Sequence, residues 1–194
     1  MKAPVINILW LVSEDCSPRG SSYGDHLVET PTIDRLAEQG VLFENAFSTY
    51  PVCAPSRFSL ITGMEPASCG PAHHMRSVAK FPTEFKTYAE YFRVAGYYCS
   101  NNSKTDYNSD INPSEIWDDS STSAHWRARK EGQPFLAVFN ADVTHESAIF
   151  YETDSDLKLD QVKIPDYLPD TIEIRTDLVR HYSAVKRMDA YFGE

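Results

Sequence analysis

Pro51-Val52-Cys53-Ala54-Pro55-Ser56-Arg57-Phe58-Ser59-Leu60-Ile61-Thr62-Gly63 is the stretch around which this chain is organised. Pro55 suits a first helical turn, where a missing N–H leaves no bond unmade. Phe58, Leu60 and Ile61 carry the helix forward, and Gly63 ends it. Cys53 then stands over backbone N–H groups at a helix N-terminus, a position that attracts negative charge. Arg57, one turn on, directs a permanent cation back towards it. Taken alone, Cys53 reads as a buried structural thiol. The whole string reads as a sulfur nucleophile, an anion site and an arginine in one place.

The chain has 194 residues and a formal net charge of −10. That length supports a real core, and one domain is the default. The negative charge argues against a nucleic-acid or anionic-membrane partner. An anionic substrate would have to be drawn in locally, by a metal and a few basic side chains. No apolar run reaches membrane-spanning length. Residues 1–4 lead straight into the apolar run 5–12, which is too short for a signal peptide and lacks its cleavage pattern. The chain as given therefore reads as cytoplasmic; the other reading is an exported protein whose signal lies outside these residues. Cys16, Cys53, Cys69 and Cys99 show no close Cys-x-x-Cys spacing, which disfavours a zinc knuckle and leaves the other three as free thiols.

Residues 5–12 are apolar almost throughout, as in a buried central parallel strand. The run ends at Ser13-Glu14-Asp15, and ligands of open α/β sheets collect at such carboxyl ends. In isolation the two carboxylates are simply an acidic loop start. Residues 30–40 read as a helix with Thr30 as N-cap, Pro31 at its first position, Gly40 at its end and Ile33, Leu36 and Ala37 on its apolar face. The alternation over 41–47 predicts a strand. A loop follows over 64–80, with His73-His74-Met75-Arg76; adjacent rings rarely converge on one metal ion, so this segment reads as facing substrate. Residues 84–95 predict a helix with Phe85, Tyr88, Ala89, Tyr91, Phe92 and Ala95 at core spacing and Gly96 as its stop. A short strand over 97–100 leads into the polar run 101–107, which contains Lys104.

Residues 109–123 read as a surface excursion. Residues 125–130 read as basic and helical with Trp126 inward. Residues 135–140 form another buried-strand run, with His145 shortly past its end. The acidic loop over 149–169, with Asp154, Asp156, Asp160 and Asp166, lacks a calcium-loop pattern and reads as solvated. Asp170-Thr171-Ile172-Glu173 has capping-box form and opens a helix whose Ile174, Leu178, Tyr182, Val185, Met188 and Phe192 share one face.

Cys53-x-Pro55-Ser56-Arg57 followed by Thr62-Gly63 resembles the signature of the sulfatases. The string Thr30-Pro31-x-x-Asp34-Arg35-Leu36-Ala37-x-x-Gly40-Val41-x-Phe43-x-Asn45-Ala46 is similar to the family pattern as well. The resemblance implies an α/β fold with a mostly parallel central sheet flanked by helices, of the alkaline-phosphatase-like kind. Residues 1–194 would be the N-terminal portion of a single catalytic domain, truncated before its C-terminal part, with no second domain. It also implies sulfuric ester hydrolysis, with Cys53 oxidised to formylglycine by a maturation enzyme. One hydroxyl of the hydrated aldehyde attacks sulfur and the other later expels sulfate.

Within the same resemblance, Glu14, Asp15 and residue 53 would ligate calcium or magnesium, Glu14 standing where the family usually has aspartate. Arg57 and Lys104 would hold negative charge, and His145 would bind the sulfate and protonate the leaving oxygen. His73 and His74 would line the substrate, a sulfated small molecule or glycan. Many relatives carry a histidine where Asp106 stands, which implies a rearranged pocket. The family's second metal-ligand pair, Asp-Asn or Asp-His, comes from a later strand, and these residues offer no counterpart. The expectation is weak metal binding and little or no turnover by the 194 residues alone. Two other readings are a phosphonate monoester or phosphodiester hydrolase of the same superfamily, and a non-catalytic fragment with Cys53 unmodified.

Overall fold

A computed structural model describes residues 5–151 and 155–194. Residues 1–4, which lead into the first apolar run, and Asp154 of the acidic loop lie outside the described residues. The chain divides into two compact units, one of Met1–Val12 with Phe47–Asn140 and one of Ser13–Ala46 with Ala141–Glu194.

The first unit is built on four strands: β1 (Ile8–Ser13), β2 (Tyr98–Asn102), β3 (Asp119–Ser120) and β4 (Phe135–Ala141), in the order β1-β4-β2-β3. β2 runs parallel to β4, with Tyr98 opposite Phe135 and Asn102 opposite Phe139, and parallel to β3. This is the parallel sheet flanked by helices that the resemblance implied. β4 holds an inner place because its run is apolar on both faces: Leu136, Ala137 and Val138 are buried. Ile61 of α2 (Cys53–Thr62) and Ala89 of α3 (Tyr88–Val94) join Leu136 and Val138 in one core.

Several expectations change. β1 is an end strand among the described residues, not a central one, and Leu9 is 53% exposed. Among the described residues β4 is the one strand beside it. Residues 41–47 form no strand, and Val41, Phe43 and Phe47 are exposed. Alternation marks a segment that fits a sheet, yet a strand exists only where a neighbour takes its hydrogen bonds. Residues 109–123 are not all surface. Ile116, at the end of α4 (Pro113–Ile116), and Trp117 are buried in the core. α3 also begins later than expected, at the capping box Thr87/Glu90, leaving Phe85 outside it and exposed. Trp126 packs as anticipated, stacked on Phe135 at 5.1 Å, but in a 3-10 turn.

The second unit packs α1 (Pro31–Gln39) and α5 (Ile172–Phe192) around Val28, Val162, Val179, Tyr182, Val185 and Met188. The stretch read as solvated is half right: Asp156, Asp160 and Asp166 are exposed, while Leu157, Leu159, Val162 and Ile164 pack into this core. α1 starts at Pro31, but Thr30 makes no side-chain cap. Asp189 of α5, 2% exposed, caps it from across the unit, accepting the Thr32 N–H at 3.0 Å and the Ile33 N–H at 2.9 Å. A carboxylate suits a helix N-terminus, where unpaired N–H groups and the dipole both favour negative charge. α5 is capped by Thr171 rather than Asp170; Asp170 instead takes Arg175 in a two-pronged pair at 2.6 and 2.7 Å.

Asp189→Ala strands two buried N–H groups and is expected to destabilise the chain by about 3 kcal/mol, whereas Thr30→Ala should cost less than about 1 kcal/mol. Urea unfolding of the two variants checks this order. In the first unit Trp117 Nε1 donates to the Tyr107 hydroxyl at 2.8 Å, and burial pushes the Tyr107 phenol up to about 12. The neutral phenol is thus favoured in the folded chain. Its contribution to stability is whole below the ordinary phenol value of about 10 and is lost as pH rises through about 12. Unfolding free energies measured across that window should fall, and less steeply in Tyr107→Phe.

Candidate active site

In the first unit, α2 begins at Cys53 itself. Val52 precedes it in extended backbone without a side-chain cap, so the first N–H groups of the helix sit beneath the half-buried thiol. At the other end Gly63 takes φ 69° and donates its N–H to the Ser59 carbonyl, the turn only glycine makes without strain. Arg57 is 7% exposed and sits in a polar network. Its Nη2 donates to Asn140 Oδ1 at 2.9 Å, and its Nη1 donates to the Lys104 carbonyl at 3.3 Å.

Asn140 is held in turn. Its Nδ2 donates to Asn101 Oδ1 at 3.1 Å and to the Asn102 carbonyl at 3.0 Å. With both amide hydrogens spent there, the carbonyl end has to face Arg57. Asn101 Nδ2 donates to the Lys104 carbonyl and to Ser120 Oγ, both at 3.1 Å. Arg57, Asn101 and Lys104 line one small cavity with Trp10, Tyr88 and Tyr107. Burial, reinforced by the neighbouring Tyr107, raises the Tyr88 phenol and keeps it neutral, with Arg57 opposing.

Asn101 and Asn140 are functional neighbours that the sequence reading missed. Asn140 carried a signal: a polar residue closing a run of buried apolar ones needs a partner. Asn101 was assigned to a polar loop and lies inside β2, 1% exposed. His73 and His74 are exposed on their loop, with their rings edge-to-face at 4.2 Å.

In the second unit, Glu14 and Asp15 follow β1 directly in the chain. Glu14 is 5% exposed, and Asp15 takes the left-handed conformation at φ 44°. Asp15 Oδ2 accepts the Glu146 N–H at 2.9 Å and lies 3.8 Å from His145 Nε2. His145 Nδ1 accepts the Ser147 N–H at 3.2 Å. In the neutral ring that bond puts the remaining proton on Nε2, the nitrogen nearest Asp15. The structure therefore brings His145 to Asp15, and Arg57 to the backbone of Lys104. Two adjacent carboxylates, one deeply buried, are hard oxygen donors that fit calcium or magnesium.

Comparison with known proteins gives this geometry a family. A family model described as Sulfatase matches residues 6–167. An ulvan-active sulfatase of Formosa agariphila is 37% identical over 236 aligned residues, covering 96% of this chain and 39% of that protein. Human iduronate 2-sulfatase is 38% identical over 92 residues, covering 47% of this chain and 17% of that protein. Among solved structures, a 2-O GAG sulfatase matches 98% of this chain and 53% of its own with a TM-score of 0.72 at 16% identity, a likeness of fold. The chain thus spans well under two thirds of the length of these relatives. By the matched model and the fold together, the chain belongs to the sulfatase family.

Proposed function

We propose that this chain carries part of the catalytic machinery of a sulfuric ester hydrolase acting on sulfated saccharides, with Cys53 matured to formylglycine. The observation that carries the reading is the thiol at the first position of α2 with a buried arginine one turn on, that arginine being clamped by Asn140 and the Lys104 carbonyl. The saccharide class follows relatives named as ulvan-active and iduronate sulfatases. A formylglycine at position 53 would supply a hydrated aldehyde, with one hydroxyl to attack sulfur and a second to expel sulfate. A calcium or magnesium ion held by Glu14, Asp15 and residue 53 would supply polarisation of the sulfuryl oxygens.

The chain's own residues do the rest. The N-terminus of α2 favours negative charge at residue 53. Arg57 holds charge developing on the sulfuryl group, its orientation fixed before substrate arrives, which is what makes such a donor effective. Lys104 adds a second cation, and His145, carrying its proton on Nε2, gives it to the leaving alcohol. His73 and His74 are assigned to the substrate side at their exposed loop. A formylglycine-generating enzyme is the maturation partner. Because the chain covers 39% of the ulvan-active relative, the 194 residues alone are expected to bind the ion weakly and turn over little.

The test is to co-express a chain of the relative's length with a maturation enzyme, then compare an aryl sulfate with a phosphodiester. The peptide containing residue 53 should show the mass loss of aldehyde formation, and sulfate should be the faster substrate. Cys53→Ala should abolish turnover. An unmodified thiol under competent maturation, or a preference for the phosphodiester, rejects the proposal. His145→Ala should lower kcat about 10²-fold or more, the usual yield of a positioned acid.

Asn140→Leu tests the clamp. It removes the acceptor on Arg57 Nη2 and should cut kcat about 10²-fold, with a smaller change in KM. Asn140→Asp restores an acceptor for Arg57 but sets a second acceptor against Asn101 Oδ1, so it should recover only part of the loss.

A further inference from the structure

In the second unit, His145 is the joint between two 3-10 turns, Asp142–Thr144 and Glu146–Phe150. Its backbone is held on both sides. The His145 N–H donates to the Asp142 carbonyl at 3.0 Å, and the His145 carbonyl accepts the Ala148 N–H at 2.8 Å. What remains to be fixed is the ring, and three donors of the next two residues meet it or its carboxylate neighbour. The Glu146 N–H goes to Asp15 Oδ2 at 2.9 Å, and the Ser147 N–H goes to His145 Nδ1 at 3.2 Å. The third is the Ser147 hydroxyl, 2.9 Å from the same Nδ1.

A backbone N–H can only donate, so in the neutral ring Nδ1 is the acceptor nitrogen and the Ser147 hydroxyl donates to it as well. That nitrogen has one lone pair, which lies in the ring plane. Two donors converging on it fix the plane of the ring together with its tautomer. Turning the ring over would set Cδ2–H against both donors. It would also take Nε2 away from Asp15 Oδ2, from which it now lies 3.8 Å.

The turn itself does not need this hydroxyl. Capping is done by His145 accepting the Ser147 N–H, and that bond uses no serine side-chain atom. Ser147 is exposed, so its hydroxyl has water at hand, yet it is directed at Nδ1. The side chain therefore serves the ring.

We propose that Ser147 is a positioning residue, whose hydroxyl holds the His145 ring in the one orientation and tautomer that present its Nε2–H on the Asp15 side. Ser147 acts through His145 and touches no substrate. The proposal rests on the reading of His145 as the acid in sulfate ester hydrolysis, and deepens it. Holding an imidazole in the right tautomer matters greatly where it moves a proton. The backbone N–H supplies part of that hold, and the hydroxyl's share is that of one net hydrogen bond, about fivefold.

The first arm of the test needs no turnover. The full chain is labelled with ¹⁵N-histidine and its imidazole shifts are recorded at about pH 9, where a histidine is ordinarily neutral. Those shifts report which nitrogen carries the proton, and the signals lost in His145→Gln identify residue 145. The parent should show the Nε2–H form alone, Ser147→Ala a mixture of the two tautomers, and Ser147→Thr, which keeps the hydroxyl, the parent form again. Thermal melts should match the parent, as expected for an exposed position.

The second arm measures turnover by a matured chain of the relative's length. Ser147→Ala should lower kcat about fivefold on an alkyl or saccharide sulfate with little change in KM. The loss should be markedly smaller on 4-nitrophenyl sulfate, whose leaving phenolate needs little help from an acid. In a His145→Ala background the same substitution should cost nothing further, because no ring is left to position. Shifts unchanged in folded Ser147→Ala overturn the proposal and leave the sulfatase reading standing. Equal losses on the two esters, or a full loss retained in the His145→Ala background, overturn it as well. A tautomer mixture in Ser147→Ala, with no sulfate ester cleaved by the matured parent, upholds the hold on the ring and rejects the sulfate-ester reading instead.

Discussion

A guanidinium removed from water has to find acceptors in the protein, and the first unit of this chain is arranged to supply them to Arg57. The charge sits one turn into α2. Asn140, at the end of β4, and the Lys104 carbonyl, just past β2, provide the acceptors. Both come from the ends of parallel neighbours in the sheet, so the register of β2 on β4 is what brings Asn101 and Asn140 together. A slip of one residue would turn these amides to the other face and strand the charge. The sheet and the arginine are therefore one structural decision.

The second unit solves a similar problem with the sign reversed. A chain of net charge −10 has carboxylates to place, and several are used as acceptors for backbone N–H groups or hydroxyls. Asp189 closes the start of α1, Asp15 takes the Glu146 N–H, and Asp34 accepts from the hydroxyls of Ser21 and Ser22. The hydrogen bonds from Ser21 and Ser22 hold the Asp34 carboxyl below the usual carboxylate range, so it stays ionised where it works. Tyr182 links Arg19 to Asp25 in the same manner. The acidity of the chain is thus partly an internal resource.

Local chemistry in the sequence was read well where one residue type had one structural use. Pro31 at a helix start, Gly40, Gly63 and Gly96 at helix ends, and the apolar run of β4 all fell where expected. Readings failed where a partner distant in sequence decided the outcome. The alternation of 41–47 met no neighbouring strand, β1 gained only one neighbour among the described residues, and the Thr30 cap gave way to a carboxylate 159 positions on, at Asp189. The Asp170 cap failed for a more local reason. Arg175 offers that carboxylate a two-pronged charged partner, and the Thr171 hydroxyl is left to serve the helix.

The amino-acid sequence by itself determined the nucleophile candidate, its helix and the arginine one turn on, because residues four apart on a helix face each other whatever the rest of the fold does. It also determined that a buried parallel strand would lead towards His145, since a continuous apolar run admits little else. Only the tertiary structure decided what holds Arg57 and which nitrogen of His145 carries the proton. Those depend on hydrogen bonds between segments tens of residues apart, whose partners are chosen by strand register and loop packing rather than by local spacing.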